Sequence, residues 1–206
     1  PVTFTATVSA VSPGAGTPTG TVTFKDGTST LGTGTLNGSG QATLTTSSLS
    51  VALHSITAAY AGDTNFNGSG SAALSQVVNK ASTTTATPIS SVNPSVFGQS
   101  VTFTTTVAVV PPGAGTLTGS VEFFDGPNFL GTASLVGLSA SLTISTLNAG
   151  LRSITAKYLG NGNFKDSTSL AFSQTVIKAS TATTVVSSRP CVPPVPAPLP
   201  DSCPRF

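Results

Sequence analysis

Charged and aromatic side chains are scarce in this chain of 206 residues. Asp, Glu, Lys and Arg together make up 7% of the residues, the aromatic residues 6%, and Met and Trp are absent. The net charge is only +2 and the Lys and Arg residues are scattered singly, so the basic patch by which proteins bind nucleic acid is missing. No apolar run approaches the roughly 18 residues of a membrane-spanning helix. We therefore expect neither a nucleic-acid partner nor a membrane span.

Cysteine is almost absent as well. Cys191 and Cys203 are the two cysteines, and both lie in a proline-rich tail, residues 189–206. They could close one small disulfide loop, which would place the protein outside the reducing cytosol. Two free thiols or a crosslink to another chain are the alternatives, and we favour the disulfide. No further residues stand at the spacing of a zinc site, and we expect no metal and no cofactor.

The residues that are abundant favour β-structure. Thr and Ser dominate the polar residues, and the chain contains 21 Gly and 15 Pro. Thr and Val are β-branched and suit strands, whereas Gly and Pro interrupt helices and form turns. No helical periodicity of apolar residues is present, so the composition predicts an all-β protein with short strands.

The chain contains an internal repeat with a period of about 98–99 residues. The stretch PVTFTATVSAVSPGAGTPTGTVTFKDG matches SVTFTTTVAVVPPGAGTLTGSVEFFDG, and HSITAAYAGDTNF matches RSITAKYLGNGNF. A repeat of this length has the size of one β-sandwich domain and is too long for a solenoid unit. We assign residues 1–79 to a first copy and residues 80–177 to a second copy, joined by a short linker around Asn79–Ala81.

Within each copy, apolar and hydroxyl residues alternate with the period of a half-buried strand. Val2, Phe4, Ala6 and Val8 alternate with threonines, and Asp26-Gly27 and Asp125-Gly126 are strong hairpin signals. About seven strands are predicted in a complete copy. In the second copy the first of them is Ser82–Ser91.

The combination of G-x-V-x-F-x-D-G with Y-x-G-D/N-x-N-F resembles bacterial immunoglobulin-like repeat domains, which occur in tandem in large secreted and cell-surface proteins. The resemblance covers both copies. It implies two tandem immunoglobulin-like β-sandwiches at an extracellular or cell-surface location. It also implies a spacer, stalk or adhesive module, with no shared catalytic residues to carry over.

The residues offer little for catalysis, and we expect no enzyme. His54 is the only histidine, and without a partner constellation it is interpreted as an exposed strand position that accepts any polar residue. The loop around Asp63 could offer oxygen ligands to calcium, but its counterpart Asn161 is not a carboxylate, so an Asx turn is the better interpretation. Asn37 and Asn67 stand in formal N-glycosylation sequences.

The two ends of the chain are complementary. The first copy begins at Val2, the counterpart of Val101, and thus lacks the first strand of the module. After the second copy, residues 178–188 read KASTATTVVSS, a near match to KASTTTATPIS at residues 80–90. An incomplete sandwich leaves an open sheet edge, which favours pairing with another chain.

Two explanations compete for these ends. In one, the chain is a segment of a longer repeat array, such as the stalk of an adhesin, and residues 178–188 are a stranded first strand. In the other, which we favour, this segment fills the empty position in the first copy of the next subunit, as in donor-strand complementation, and builds a head-to-tail filament. The predicted donor residues are Ala182, Thr183, Thr184, Val185, Val186, Ser187 and Ser188, and the predicted acceptor strand carries Val2, Phe4, Ala6 and Val8. The partner is then the chain itself, with glycans or other surface proteins as further candidates.

Overall fold

The computed structural model describes residues 1–186. This part of the chain contains strands and turns and no helix, so it has none that could span a membrane. The strands form two tandem β-sandwiches, which confirms the all-β prediction. Ser187, Ser188, Cys191 and Cys203 lie outside the described residues, and the predicted disulfide with them.

Each repeat copy forms its own set of strands. The first copy contains β1 (Val2–Thr7), β2 (Thr21–Asp26), β3 (Ser29–Thr35), β4 (Gln41–Thr46), β5 (Leu53–Gly62), β6 (Asn67–Gly70) and β7 (Leu74–Val77). The second contains β8 (Thr83–Thr85), β9 (Ile89–Ser90), β10 (Ser95–Val96), β11 (Val101–Val109), β12 (Ser120–Asp125), β13 (Asn128–Ser134), β14 (Ser139–Ile144), β15 (Gly150–Tyr158), β16 (Ser167–Thr168) and β17 (Phe172–Ile177). Strands β1–β7 therefore correspond to β11–β17, and β8–β10 have no counterpart in the first copy.

The first copy has one small sheet and one large sheet. The small sheet consists of β1 and β4, paired antiparallel from Val2 opposite Thr46 to Thr7 opposite Gln41. The large sheet has the order β3-β2-β5-β6, with β7 also paired to β5. Because β1 pairs only with β4 among the described strands, its other side is an open edge.

In the second copy the three extra strands extend both sheets. Strands β8 and β9 pair antiparallel with β11, so the small sheet has the order β14-β11-β8. Strand β10 pairs in parallel with β17 and extends the large sheet, whose order is β10-β17-β15-β12-β13. The segment before β11 thus crosses from one sheet to the other and covers the open side of the sandwich.

The predicted first strand Ser82–Ser91 is interrupted in the structure. Strand β8 ends at Thr85 and β9 begins at Ile89, and the buried Pro88 lies between them. The last bond of the ladder before the break runs from the Ala86 N–H to the Thr106 carbonyl. Proline has no backbone N–H to donate, and pairing with β11 resumes at Ile89, directly after it. The predicted linker around Asn79–Ala81 ends within the second copy, since Ala81 forms a β-bridge with Phe164 of that copy.

The inward faces of the two sheets form one apolar core in each copy. In the described residues the core of the second copy contains thirteen buried apolar residues and that of the first copy six. Phe103 is fully buried, whereas its counterpart Phe4 retains 6% exposure. The difference follows from the cover that β8–β10 supply to the second core.

The two phenylalanines make a matched pair for a stability test. In dilute solution, Phe103→Ala should destabilise the second copy by about 3–5 kcal/mol, since it leaves a closed cavity. Phe4→Ala should cost the first copy less, because the ring of Phe4 already faces an open groove. Hydrogen exchange of each copy along a denaturant gradient measures both losses. Equal losses would contradict the unequal cover of the two cores.

Candidate functional site

A groove of about 450 Å³ runs along the open edge of β1 in the first copy. Phe4, Phe24, Ile56 and Tyr60 contribute apolar side chains to its lining. The groove also reaches β6 and β7 of the large sheet, where Ser69 and Gln76 line it. It is therefore the gap between the two sheets on the side where β1 has no neighbour.

A second cavity, of about 470 Å³, continues the groove beyond the end of β1. The two share Val8, Tyr60 and Ser69 in their linings. Gly14 and Phe66 also line the second cavity. Together the two spaces form one continuous channel along this side of the first copy.

The four predicted acceptor residues all line the groove. Val2, Phe4 and Ala6 lie on β1, with Phe4 buried and the other two half-buried, and Val8 follows directly after the strand. Their counterparts on β11 are Val101, Phe103, Thr105 and Val107, each of which is at most 2% exposed. The set that lines the groove is thus the more exposed of the two.

In the second copy, the chain before β11 occupies the equivalent path. Ala81 donates its N–H to the Asn163 carbonyl and accepts from the Lys165 N–H, each at 2.9 Å. The Ser82 carbonyl accepts from the Val110 N–H at 2.9 Å, and β8 then pairs with residues 107–109. In the alignment of the two copies, this stretch lies where the first copy has the second cavity and the adjoining end of the groove.

Hydroxyl groups anchor β8 to the opposite sheet. Thr83 Oγ1 donates to the Lys165 carbonyl at 2.9 Å and lies 2.8 Å from Ser167 Oγ, and Thr85 Oγ1 lies 2.7 Å from the same Ser167 oxygen. Both threonines are buried. The counterpart of Ser167 is Ser69, which is exposed in the lining of the groove.

A glutamine holds the last part of this segment. Gln174 is fully buried, and its Nε2 donates to the Val92 carbonyl at 3.0 Å and lies 3.2 Å from Ser95 Oγ. Its counterpart Gln76 is half-buried at the groove, with its Nε2 donating to the neighbouring Val77 carbonyl. Sequence reasoning missed this glutamine, although the S-Q-x-V repeat at 75–78 and 173–176 marks it in both copies.

Residues 178–186, the described part of the predicted donor segment, have no assigned strand. Ala182, Thr183 and Thr184 are exposed, and Val185 and Val186 are 97% and 89% exposed. Two adjacent valines with almost complete exposure are unusual in a sequence with strand character, since burial of each is worth about 1.5–3 kcal/mol. The segment is thus accessible to a partner.

His54 is buried rather than exposed, which corrects the interpretation from sequence. Its Nδ1 lies 2.7 Å from Asp26 Oδ2 and its Nε2 lies 2.9 Å from the Ser50 carbonyl oxygen. Both ring nitrogens therefore face acceptors, an arrangement that the doubly protonated imidazolium satisfies. The Ser50 carbonyl and then the Asp26 carboxylate raise the pKa of His54 above its ordinary value.

Arg152 takes the place of His54 in the second copy. It donates to the carbonyls of Asn148 and Ala149 at 2.9 and 2.8 Å, and its Nη1 lies 3.6 Å from Asp125 Oδ2. Both copies therefore place a basic side chain between the aspartate of the Asp-Gly hairpin and the loop that precedes β5 or β15. The exchange of His for Arg between the copies was the signal in the sequence for this shared role.

Asp63 forms an Asx turn. Its carboxylate accepts from the Thr19 hydroxyl at 2.7 Å, from the Thr19 N–H at 2.8 Å, and from the N–H groups of Asn65 and Phe66. These hydrogen bonds, with that of the Thr19 hydroxyl first, lower the pKa of Asp63 well below its ordinary value. Asn161 makes the same two turn bonds with Oδ1, so the turn does not depend on the charge.

Other candidate residues do not converge on a site. In residues 1–186 no three His, Cys, Asp or Glu side chains lie close enough to hold a metal ion. Asn37 and Asn67 are exposed, and Asn37 Oδ1 accepts from the N–H groups of Ser39 and Gln41. The groove remains the strongest candidate for a functional site.

The family of the chain follows from its match to a known sequence model. The model of the bacterial Ig-like domain (group 3) matches residues 1–79 and 84–177. The chain belongs to this family. It contains two bacterial Ig-like domains, of which the first has the groove and the second is filled by its own β8–β10.

Two solved structures show low sequence identity to the chain. No curated protein matches the sequence. The solved fibronectin(III)-like modules of Clostridium thermocellum CbhA are 12% identical, with 90% of each chain covered and a TM-score of 0.37. A solved structure from a 1.5-MDa bacterial ice-binding adhesin, which bears on how that adhesin is retained at the host cell surface, is 13% identical. The match covers 89% of this chain and 60% of that chain, with a TM-score of 0.31.

The His54–Asp26 pair makes the stability of the first Ig-like domain depend on pH. Since folding raises the pKa of His54, its contribution is complete below its unfolded pKa of about 6.5 and is lost as the pH rises through the folded pKa. As the pH rises above about 6.5, hydrogen exchange of the first domain should therefore accelerate more than the pH dependence of the intrinsic exchange reaction requires.

The second Ig-like domain is the internal control, because it has Arg152 in place of the histidine. His54→Arg should remove the pH dependence from the first domain as well. A first domain that keeps the same unfolding free energy across this pH range would contradict a charged His54.

Proposed function

We propose that the chain is a structural subunit of an extracellular bacterial filament, in which subunits join head to tail. Residues 178–188 of one chain insert into the groove of the first Ig-like domain of the next. The observation that carries this proposal is the equivalence of the two domains: the second domain fills with residues 81–96 the space that is open in the first. The donor segment begins with Lys-Ala-Ser-Thr, the same four residues that begin the filling segment at Lys80.

The geometry favours a linear assembly. Each chain has one open groove, in the first domain, and one unpaired segment, after the second domain, among the residues that the structure describes. The second domain offers no equivalent groove, because β8 already pairs with β11. Donor and acceptor are different surfaces, so the contact is heterologous and leads to a line or ring of subunits rather than an isologous dimer.

Physical chemistry supports insertion at this edge. Strand β1 presents its free backbone groups, a template for pairing with another strand. An inserted strand would also cover Val2, Val8 and Leu74, of which Leu74 is 55% exposed. Strand addition combines these backbone hydrogen bonds with side-chain burial in the groove.

The second candidate is a spacer or stalk segment of a bacterial cell-surface adhesin. It is favoured by the way in which the domains are connected, since β7 of the first domain is followed within six residues by β8 of the second. Each domain in an array would then receive its first strand from the segment directly before it. Domains of this family typically serve as non-catalytic structural modules, which suits both candidates. Glycans or other surface proteins are the partners that an adhesive role would add.

Deletion of residues 178–206 tests the filament. The full chain should form oligomers whose mass grows with concentration, and the shortened chain should stay monomeric while its second domain remains folded. Size-exclusion chromatography with light scattering measures the mass, and hydrogen exchange follows the second domain. Filaments that persist without residues 178–206 would overturn the proposal, as would a full chain that stays monomeric at high concentration.

Two proline variants make a sharper pair. In the second domain Thr84 lies opposite Ala108. The pairs on either side of it are hydrogen-bonded, through Ala86 N–H to the Thr106 carbonyl and Val110 N–H to the Ser82 carbonyl. Because hydrogen-bonded pairs recur at every second residue, Thr84 forms such a pair with Ala108 as well. Its counterpart is Ala182, so Ala182→Pro should abolish polymerisation by removing a ladder donor. Val186→Pro should be tolerated, because the equivalent residue in the second domain is Pro88. Equal behaviour of the two variants would contradict strand insertion.

A further inference from the structure

We infer that the donated segment binds in a single register, in which Ala182 lies opposite Ser9 and the hydroxyls of Thr181 and Thr183 bind to Ser69 of the acceptor. This inference rests on the proposed function and adds the residues that determine which strand fits. It is drawn from three differences between the two domains and from the cost of a shifted register.

The first difference is the length of the strand at the open edge. Strand β11 has nine residues and β1 has six. The three additional residues, Val107–Val109, are those that pair with β8, in the register Val107 with Thr85, Ala108 with Thr84 and Val109 with Thr83. Residues 8–10 of the first domain are the counterparts of residues 107–109. They have no partner strand among the described residues and are not themselves in a strand.

The second difference is the hydroxyl group left at the groove. In the second domain Ser167 Oγ lies within 2.8 Å of the hydroxyl oxygens of both Thr83 and Thr85. The first domain has Ser69 at this position, at the lining of both cavities. The donor segment has Thr181 and Thr183 at the positions of Thr83 and Thr85. The register that aligns the identical residues therefore satisfies the hydroxyl of Ser69.

The third difference concerns a glycine. A Cβ on Gly113 would lie 2.7 Å from the Cβ of Ala81, so this alanine packs directly on the glycine. The equivalent Gly14 has only the Val11 carbonyl near the position of a Cβ, at 3.0 Å, and it lines the second cavity. Ala179 is the donor residue at the position of Ala81, and its small side chain fits this space.

A shift of the donor away from this register would have a cost in each case. A shift by one residue would turn Thr181 and Thr183 away from the groove. A shift by two residues in one direction would place Val185 instead of Thr183 at the position of Thr85, so that Ser69 would keep only one of its two threonine partners. The opposite shift would bring Ile177 against Gly14, where the second domain has alanine. The alignment with Ala182 opposite Ser9 avoids all three costs.

Disulfide trapping between two different chains tests the register. One chain carries Ser9→Cys and the other Ala182→Cys, both in a Cys191→Ser and Cys203→Ser background that still polymerises. Residues in a hydrogen-bonded antiparallel pair have Cα atoms about 5.5 Å apart, within the range that a disulfide spans. Because each chain has one cysteine, a mixed disulfide of the two chains can only form between subunits.

The matched control replaces Ala182→Cys by Thr184→Cys, which lies two residues further along the donor strand and on the same face. Its distance to residue 9 is about 7–8 Å or more, so we expect the Ala182 pair to crosslink at least about tenfold faster. Non-reducing electrophoresis and mass spectrometry of the linked peptides measure both rates. Faster linkage of Thr184→Cys, or equal linkage of both, in chains that polymerise would overturn the register and leave the filament intact. Chains that neither polymerise nor crosslink would overturn both.

Ser69→Ala and the double variant Thr181→Val with Thr183→Val test the hydroxyl contact. Each should raise the critical concentration of polymerisation about tenfold, and their combination should add little more, since both remove the same hydrogen bonds. Ser29→Ala, at an exposed serine of β3 outside the lining of both cavities, is the control and should have a smaller effect. Fully multiplicative effects of the two sets of variants would show that Ser69 and the threonines act separately, which would overturn the contact.

Discussion

Pairing between the first strand of a domain and the strand at the open edge of its small sheet is the interaction on which the rest of this fold depends. Without it, the small sheet has two strands, β1 and β4, and their inward residues meet the large sheet on one side only. With it, as in the second domain, Val101, Phe103 and Val107 are essentially inaccessible to water. A single strand of mixed polar composition thus determines whether the sandwich closes.

The rest of the domain tolerates exchange at positions where the geometry is fixed by backbone contacts. His54 and Arg152 hold the same loop by donating to carbonyl oxygens and to the aspartate of the hairpin. Asp63 and Asn161 both form the Asx turn through Oδ1. In each pair the hydrogen bonds to the backbone are retained while the charge or its dependence on pH changes. The segment β8–β10 is different, since no described residue of the first domain takes the equivalent place beside β1.

The sequence predicted the sandwich well because alternation and repetition are local signals. Val2, Phe4 and Ala6 alternate with threonines, and comparison of the copies showed that the segment before β11 has no counterpart in residues 1–79. The break near Pro88 had a local signal in the proline itself, whereas the crossing of the chain to β10 depends on pairing with β17, which no local pattern reveals. The burial of His54 and the role of Gln174 were missed for the same reason: their partners lie 28 and about 80 residues away.

The composition of the filling strand favours selectivity over strength. Valine at the positions of Thr83 and Thr85 would bury more apolar surface, but apolar strands with high β-propensity pair with many partners and in many registers. Buried threonine hydroxyls must instead find an acceptor, and an unpaired one costs about 1–3 kcal/mol. Ser167 meets this requirement in the second domain, and Ser69 occupies its position in the first. A strand that carries Thr-x-Thr is then matched to grooves that contain this serine, and other exposed edges are poor substitutes for it.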